Sequence, residues 1–308
     1  MKTMKAFTVT TKSPPNDLLF LDIPVPEIDT HEVLVRVAAI GVGTHDRSFT
    51  PVEPVLPYAI GIEAAGEIVK IGESVTNYAI GDRVMFISSM QPKGGTWAEF
   101  AVVYEEALIN MPDNLDFVDA AAIPVAGTAA LEGIKALMAK SGDTVFIAGA
   151  SGAIGTLAIQ LAVARGYRVA SSASAKNHAY MLSLGAECVV DYRDADWVHQ
   201  MKRWMPGGVD VALAIQPGTG VTSMDVVKDG GKVVTISGDQ FSAERQIVVE
   251  QITNHPETQI ELSQLALEVA SGKLRVIVER VYPFERGLEA LKKVESRHAR
   301  GKIVLSME

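Results

Sequence analysis

Between residues 4 and 111 the apolar positions fall in short β-branched runs cut by Gly and Pro, among them Val33-Leu34-Val35-Arg36-Val37, Gly66-Glu67-Ile68-Val69 and Asp82-Arg83-Val84-Met85-Phe86. Runs of this length with turn residues between them predict a twisted, largely antiparallel barrel or sandwich. The texture changes near Asp119. Residues 120–139 carry the small and aliphatic side chains of a buried helix, and strands then alternate with helices. Strands are expected at 144–148, 168–171, 187–191, 209–215 and 232–236, with helices notably at 154–165 and 176–184. Several of these strands are nearly continuous apolar runs, as parallel strands covered on both faces are. Such βαβ alternation implies right-handed crossovers and a doubly wound parallel sheet. Near Gln264 an amphipathic helix leads to Gly272, followed by a segment at 274–281, a helix at 285–295 and a last strand at 302–305. We read this tail as returning to the first domain, which divides the chain into 1–119 with 265–308, and 120–264.

Length agrees with two domains, since 308 residues exceed one ordinary domain and let each of two bury its own core. Hydrophobic residues make up 48% of the chain and no long block of one charge occurs, which excludes a largely disordered protein. The net charge of −9 argues against nucleic acid as the main partner. It leaves room for an anionic cofactor, which needs only a few local cations and backbone N–H groups. Cys188 is the one cysteine, so neither an intrachain disulfide nor a multi-thiolate metal site can form, and in Cys188-Val189-Val190 it reads as a buried small hydrophobe. With no secretory-signal pattern and no apolar run of about 18 residues, no membrane partner is expected and the cytoplasm is the default address.

The strongest chemical signal is Val145-Phe146-Ile147-Ala148-Gly149-Ala150-Ser151-Gly152-Ala153-Ile154-Gly155, an apolar strand that runs into glycines and then a helix. Gly149 would allow the tight turn, Gly152 a close backbone approach to a pyrophosphate, and Gly155 close packing of helix on strand. The helix would then point unpaired N–H groups and its positive dipole end at the phosphates. The alternative is a Gly-rich structural turn. Sites for NAD usually place an Asp or Glu on the adenosine ribose hydroxyls at the end of the second strand. Here that position reads Ser171-Ser172-Ala173-Ser174-Ala175-Lys176-Asn177, with no acid. A carboxylate would repel a 2′-phosphate, whereas hydroxyls and a lysine can bind it, so NADPH is favoured.

With these motifs in order, the chain resembles the quinone oxidoreductase and zeta-crystallin branch of the medium-chain dehydrogenase/reductase family. The matching stretches are Gly41-Val42-Gly43-Thr44-His45-Asp46, Gly61-Ile62-Glu63-Ala64-Ala65-Gly66, Gly81-Asp82-Arg83-Val84, Gly94-Gly95-Thr96-Trp97-Ala98-Glu99-Phe100, the Gly149 turn and Arg300-Gly301-Lys302-Ile303-Val304-Leu305. The resemblance implies an α/β fold: a GroES-like β-barrel catalytic domain plus a Rossmann domain, with the active site in the cleft between them. It also implies a homodimer. Zinc-containing relatives take ligands from a Cys and a His at positions that here hold Gly43 and Ile62, neither of which can coordinate a metal. The cysteines of the family's structural zinc lobe are missing too, so no metal is expected.

The resemblance carries phosphate and ribose roles onto Gly152, Ala153 and Ile154, within a turn that also includes Gly149, Ser151 and Gly155, and onto Ser172, Ser174 and Lys176. It places Tyr192 and Arg297 beside the adenosine phosphate and Thr128 near the nicotinamide. Ordinary packing for Tyr192, an exposed helix charge for Arg297 and a hydroxyl bonded back to its own helix for Thr128 remain the alternatives. Gln216 and Ser237 follow the fourth and fifth strands, whose carboxyl ends face the cofactor in an open parallel sheet. His45 stands where zinc-containing relatives have a Ser or Thr that relays the substrate proton, and an imidazole exchanges protons near neutral pH. The alternative for His45 is a structural hydrogen bond to the backbone or to Asp46. Tyr58 is a second catalytic candidate that lines the cleft, or else packs under the adjacent loop. Gly43 and Ser48 replace an Asn and a Tyr common in quinone reductases, which puts quinone specificity in question. The expected activity is NADPH-dependent, zinc-independent hydride transfer to a quinone or other activated enone. Alternatives are an alkenal or enone reductase without quinone activity, and an NADPH-binding regulatory or structural protein.

Overall fold

The computed structural model describes residues 2–11, 18–88, 90–253 and 255–307. In the N-terminal part the short apolar runs form β1 (Thr3–Val9), β2 (Leu19–Pro24), β3 (Glu32–Val42), β4 (Tyr58–Ala59), β5 (Glu63–Ile71), β6 (Arg83–Ile87), β7 (Phe100–Tyr104) and β8 (Leu108–Asn110). Helix α1 (Phe117–Ala121) follows, its Asp116 carboxylate accepting the Asp119 N–H. Helix α2 (Pro124–Ala136) begins on a proline, whose missing N–H costs nothing at a first helical position. The single helix expected over 120–139 is therefore two, because Pro124 cannot continue α1.

The alternating segment follows as β9 (Thr144–Ala148), α3 (Ala153–Ala164), β10 (Arg168–Ser172), α4 (His178–Ser183), β11 (Cys188–Val190), α5 (Trp197–Trp204), β12 (Val209–Ala214), α6 (Thr219–Met224), β13 (Val227–Thr235) and β14 (Val248–Gln251). The chain continues through α7 (Thr258–Ala270), β15 (Val278–Pro283), α8 (Gly287–Glu295) and β16 (Lys302–Ser306).

Two compact units result: unit 1 is Met1–Val125, Leu262–Lys273 and Val278–Glu308, and unit 2 is Ala126–Glu261 with Leu274–Ile277. The first boundary lies at Val125 rather than at 119 because α1 packs on β3 and β5. The short segment Leu274–Ile277 belongs to unit 2. There the side-chain amide of Gln160 on α3 both accepts from the Arg275 N–H (2.9 Å) and donates to the Arg275 carbonyl (2.9 Å). The segment read at 274–281 is thus split, and only its second half joins β15.

Unit 1 contains, among the described residues, a sheet in the order β15-β16-β3-β5-β6-β8, with β7 also paired to β3, and a smaller sheet β2-β1-β4. Its pairs are antiparallel except β15 with β16. Side chains alternate between surface and core over the first four residues of β1 and are all buried from Ala6 to Val9, while β3 is buried along most of its length. The core gathers Phe7, Tyr58, Phe86 and Trp97 with Tyr282, Phe284 and Leu305 from the C-terminal return. Phe7 meets both Trp97 and Phe284 edge to face, at centroid distances of 5.6 and 5.4 Å.

Unit 2 holds a fully parallel sheet in the order β11-β10-β9-β12-β13-β14. This is the nucleotide-binding order, and its topological switch point lies between β9 and β12, where ligands of such sheets bind beyond the carboxyl ends of the strands. All five residues of β9 are buried, consistent with a central strand covered on both faces.

Candidate functional site

The glycine turn sits at the switch point of unit 2. Gly149 leaves β9 at φ +77°, in the left-handed region, and a Cβ there would lie 2.7 Å from the Gln216 Cγ. The turn is tied to the second strand: Gly149 N–H donates to Ser172 Oγ (3.3 Å) and Ala150 N–H to the Ser172 carbonyl (3.1 Å). Gly152 is the residue before the first turn of α3, at an ordinary φ of −82°, and a Cβ on it would meet no protein atom within 4 Å. That open space lies over the first N–H groups of α3, which have no partner within their own helix. Gly155 is the opposite case, since its Cβ would fall 2.5 Å from the Cα and the carbonyl oxygen of Ala150. Helix and turn therefore touch backbone to backbone, and only glycine fits.

The structure brings Gly149, Ser151, Gly152, Ala153, Ile154, Gly155, Ser172 and Gln216 into one neighbourhood. Ser174 accepts from the Asn177 side chain (3.2 Å), while Lys176 is exposed on the turn after β10. Tyr192 is exposed just beyond β11, and Ser237 follows β13 with its hydroxyl oxygen buried and unpartnered among the described residues. Thr128 is half-buried on α2, the helix whose Gly133 packs on Leu213 and Ile236. Arg297 belongs to unit 1, where it ends α8 at φ +57°. An open Cβ position at Gly152, a helix N-terminus without a side-chain cap and an unpartnered hydroxyl beyond a parallel strand together fit a dinucleotide.

In unit 1 the peptide Gly43-Thr44-His45-Asp46 follows β3. Asp46 is buried, and its carboxylate accepts from the Gly43 N–H (2.8 Å) and from Trp97 Nε1–H (3.1 Å). Burial pushes its carboxyl up to about 7, against those hydrogen bonds. His45 is exposed, with its ring tilted against Phe49 (5.3 Å). Tyr58 is 0% exposed in β4 with its hydroxyl buried and unpartnered among the described residues, and burial raises its phenol to about 12. Cys188 is half-buried beside Met201 (4.0 Å), and burial raises its thiol.

Sequence reasoning missed a buried ion pair behind this peptide. Lys302, the first residue of β16, pairs with Glu63, the first of β5; the side chains are 6% and 1% exposed. The second Glu63 oxygen accepts from the Val125 N–H (2.7 Å). Burial raises the Glu63 carboxyl while the Lys302 ammonium opposes the rise. The available signal was a lysine opening an otherwise apolar strand. These donors do not fit a catalytic zinc. Gly43 offers a backbone N–H that Asp46 already takes, Ile62 offers an alkyl chain, and among the described residues no group of three or more His, Cys, Asp or Glu is placed to hold a metal.

A folded-state pKa above the ordinary carboxylate range means that Asp46 stabilises unit 1 fully below about pH 4 and loses that contribution as pH rises through about 7. Asp46→Asn keeps an oxygen for Gly43 and Trp97 and is expected to flatten this part of the profile of melting temperature against pH. An unchanged profile would show that another group titrates.

Two family models match the chain. Residues 29–113 match the family model described as alcohol dehydrogenase GroES-like domain, and residues 184–305 the model described as zinc-binding dehydrogenase, a span that includes neither Gly43 nor Ile62. The chain is 32% identical to the chloroplastic NADPH-dependent alkenal/one oxidoreductase of Arabidopsis thaliana, over 94% of this chain and 76% of that protein. It is 29% identical to the quinone oxidoreductase of Sus scrofa, over 92% of each. The solved quinone oxidoreductase from Coxiella burnetii superposes with a TM-score of 0.88 at 29% identity and complete coverage of both chains. No helix among the described residues is long and apolar enough to cross a membrane. The chain is a pyridine-nucleotide-dependent oxidoreductase and belongs to the medium-chain dehydrogenase/reductase family, in its zeta-crystallin-like quinone oxidoreductase branch.

Proposed function

We propose that this enzyme uses NADPH, without zinc, to reduce a quinone or another activated enone. The observation that carries the cofactor choice is the end of β10 and the loop after it, where Ser172, Ser174 and Lys176 stand with no acid among them. In this reading the α3 N-terminus and Gly152 hold the pyrophosphate, Ser172, Ser174, Lys176, Tyr192 and Arg297 the adenosine 2′-phosphate, and Thr128, Gln216 and Ser237 the nicotinamide half. The nicotinamide supplies the hydride. The protein's part is to orient it, exclude water and deliver a proton to the reduced acceptor, a role we assign to His45. Tyr58 is given no chemical role. The acceptor class rests on the names of the relatives, and two of them, the Arabidopsis protein and the 2-methylene-furan-3-one reductase of Solanum lycopersicum, favour enones over quinones as the second reading. A homodimer completes the proposal; sedimentation at micromolar concentration reads it directly.

The test is oxidation of NADPH and of NADH by metal-stripped protein across a panel of quinones and enones, with His45→Ala in parallel. We expect NADPH-selective turnover that survives chelation. Turnover restored only by added zinc would overturn the metal-free reading, and binding without any turnover would reject catalysis. His45→Ala activity equal to wild type at every pH would remove His45 from the mechanism.

A further inference from the structure

Asp191 and Arg193, just beyond β11, form a charged clamp to which the binding roles above assign nothing. Strands β10 and β11 run parallel with Ser172 opposite Val190, so the next residue, Asp191, emerges beside the loop that carries Ser174 and Lys176. One carboxylate oxygen of Asp191 accepts from the Ala175 N–H in that loop (3.0 Å). Arg193 occupies the rest: Nη2 donates to the same oxygen (2.7 Å), while Nε (2.9 Å) and the backbone N–H (3.0 Å) donate to the other. Both oxygens are thereby taken, in the bidentate geometry that matches guanidinium to carboxylate. The Arg193 hydrogen bonds hold the Asp191 carboxyl well below the usual carboxylate range.

The clamp matters because an acid at the adenosine end of such a sheet is what accepts ribose hydroxyls in NAD sites and repels a 2′-phosphate. The loop after β10 carries no acid of its own, yet Asp191 brings one to it through Ala175. We propose that Arg193 determines cofactor preference by masking Asp191: it cancels the carboxylate charge and occupies the lone pairs that would otherwise accept the ribose hydroxyls of NADH. The mask deepens the NADPH reading and rests on it.

Binding of adenosine 2′,5′-bisphosphate and of AMP, measured by calorimetry without acceptor or nicotinamide, tests the mask on wild type, Arg193→Gln and the double variant Asp191→Asn/Arg193→Gln. The Arg193 side chain is 59% exposed, so its replacement leaves the core untouched. Wild type is expected to prefer the bisphosphate, and R193Q to reduce that preference about tenfold by freeing a nearby negative charge. The double variant, in which the new side-chain amide oxygen still accepts from the Ala175 N–H, is expected to return to within about twofold of wild type, the non-additivity of a coupled pair. A preference unchanged in R193Q overturns the mask alone. A loss that persists in the double variant also overturns it and makes Arg193 a direct phosphate ligand. A wild type that does not distinguish the two nucleotides removes the NADPH reading, and the mask falls with it.

Discussion

Lys302→Met is expected to lower the free energy of unfolding by about 3–5 kcal/mol, the cost of stranding one member of a buried ion pair. The pair joins the first residues of β5 and β16, and its members are separated by 239 residues of chain. Without the ammonium, Glu63 keeps only the Val125 N–H and must either hold a charge in the core or take up a proton. The second course is easier in acid, so the defect should be larger at pH 8 than at pH 5. Adding Glu63→Gln removes the stranded charge and is expected to recover most of the loss, because the two substitutions act on one contact. Denaturant midpoints for the two single variants and the double variant check this. A loss in K302M below about 1 kcal/mol, the range of an exposed pair, would show that water reaches the pair.

The second large effect separates two glycines three residues apart. Gly155→Ala places its methyl against the Ala150 backbone, which cannot yield, so α3 must move off the turn. Overpacking of this kind costs about 1–3 kcal/mol, and dinucleotide binding should weaken about ten- to a hundredfold as the helix N–H groups leave their aim. Gly152→Ala adds its methyl to open space at an ordinary φ, so the melting temperature should hold while binding still falls, through crowding of the phosphate. Melting curves and fluorescence titration with NADPH distinguish the two variants. Undiminished binding in G152A would mean that the phosphates do not approach this part of the turn.

Much of unit 2 was legible because its signals are local. The span of β9 and the glycines that follow it lie within a dozen consecutive residues, and two of those glycines, Gly149 and Gly155, meet a steric demand set by their neighbours. The start of β13 was not legible: Lys228-Asp229-Gly230-Gly231 reads as a turn, yet a shifted register lets the strand begin at Val227, opposite Val209. The segment after Gly272 looks continuous in sequence, but its first part belongs to unit 2, where Arg275 meets the amide of Gln160, more than a hundred residues earlier, and the carbonyl of Ser183. The same limit hid the charged pairs. Nothing local joins Glu63 to Lys302, and Asp191 and Arg193, though two residues apart, acquire meaning only through Ala175 on the neighbouring loop. Tyr58 shows a related limit, since a tyrosine next to a proline carries no mark of whether its ring lies inside or outside the barrel.

The position of β16 has a consequence for biosynthesis. This strand lies between β15 and β3 in the unit 1 sheet, not at an edge, and it supplies the partner for Glu63. During vectorial synthesis residues 126–261 emerge complete, and with Leu274–Ile277 can close the parallel sheet, while β3 still waits with an open flank for the strand at 302–306. Over that interval the part of β3 from Ala39 to Val42, which β16 covers in the finished sheet, stays unpaired on that flank, so closure of unit 1 is set by the last strand to leave the ribosome.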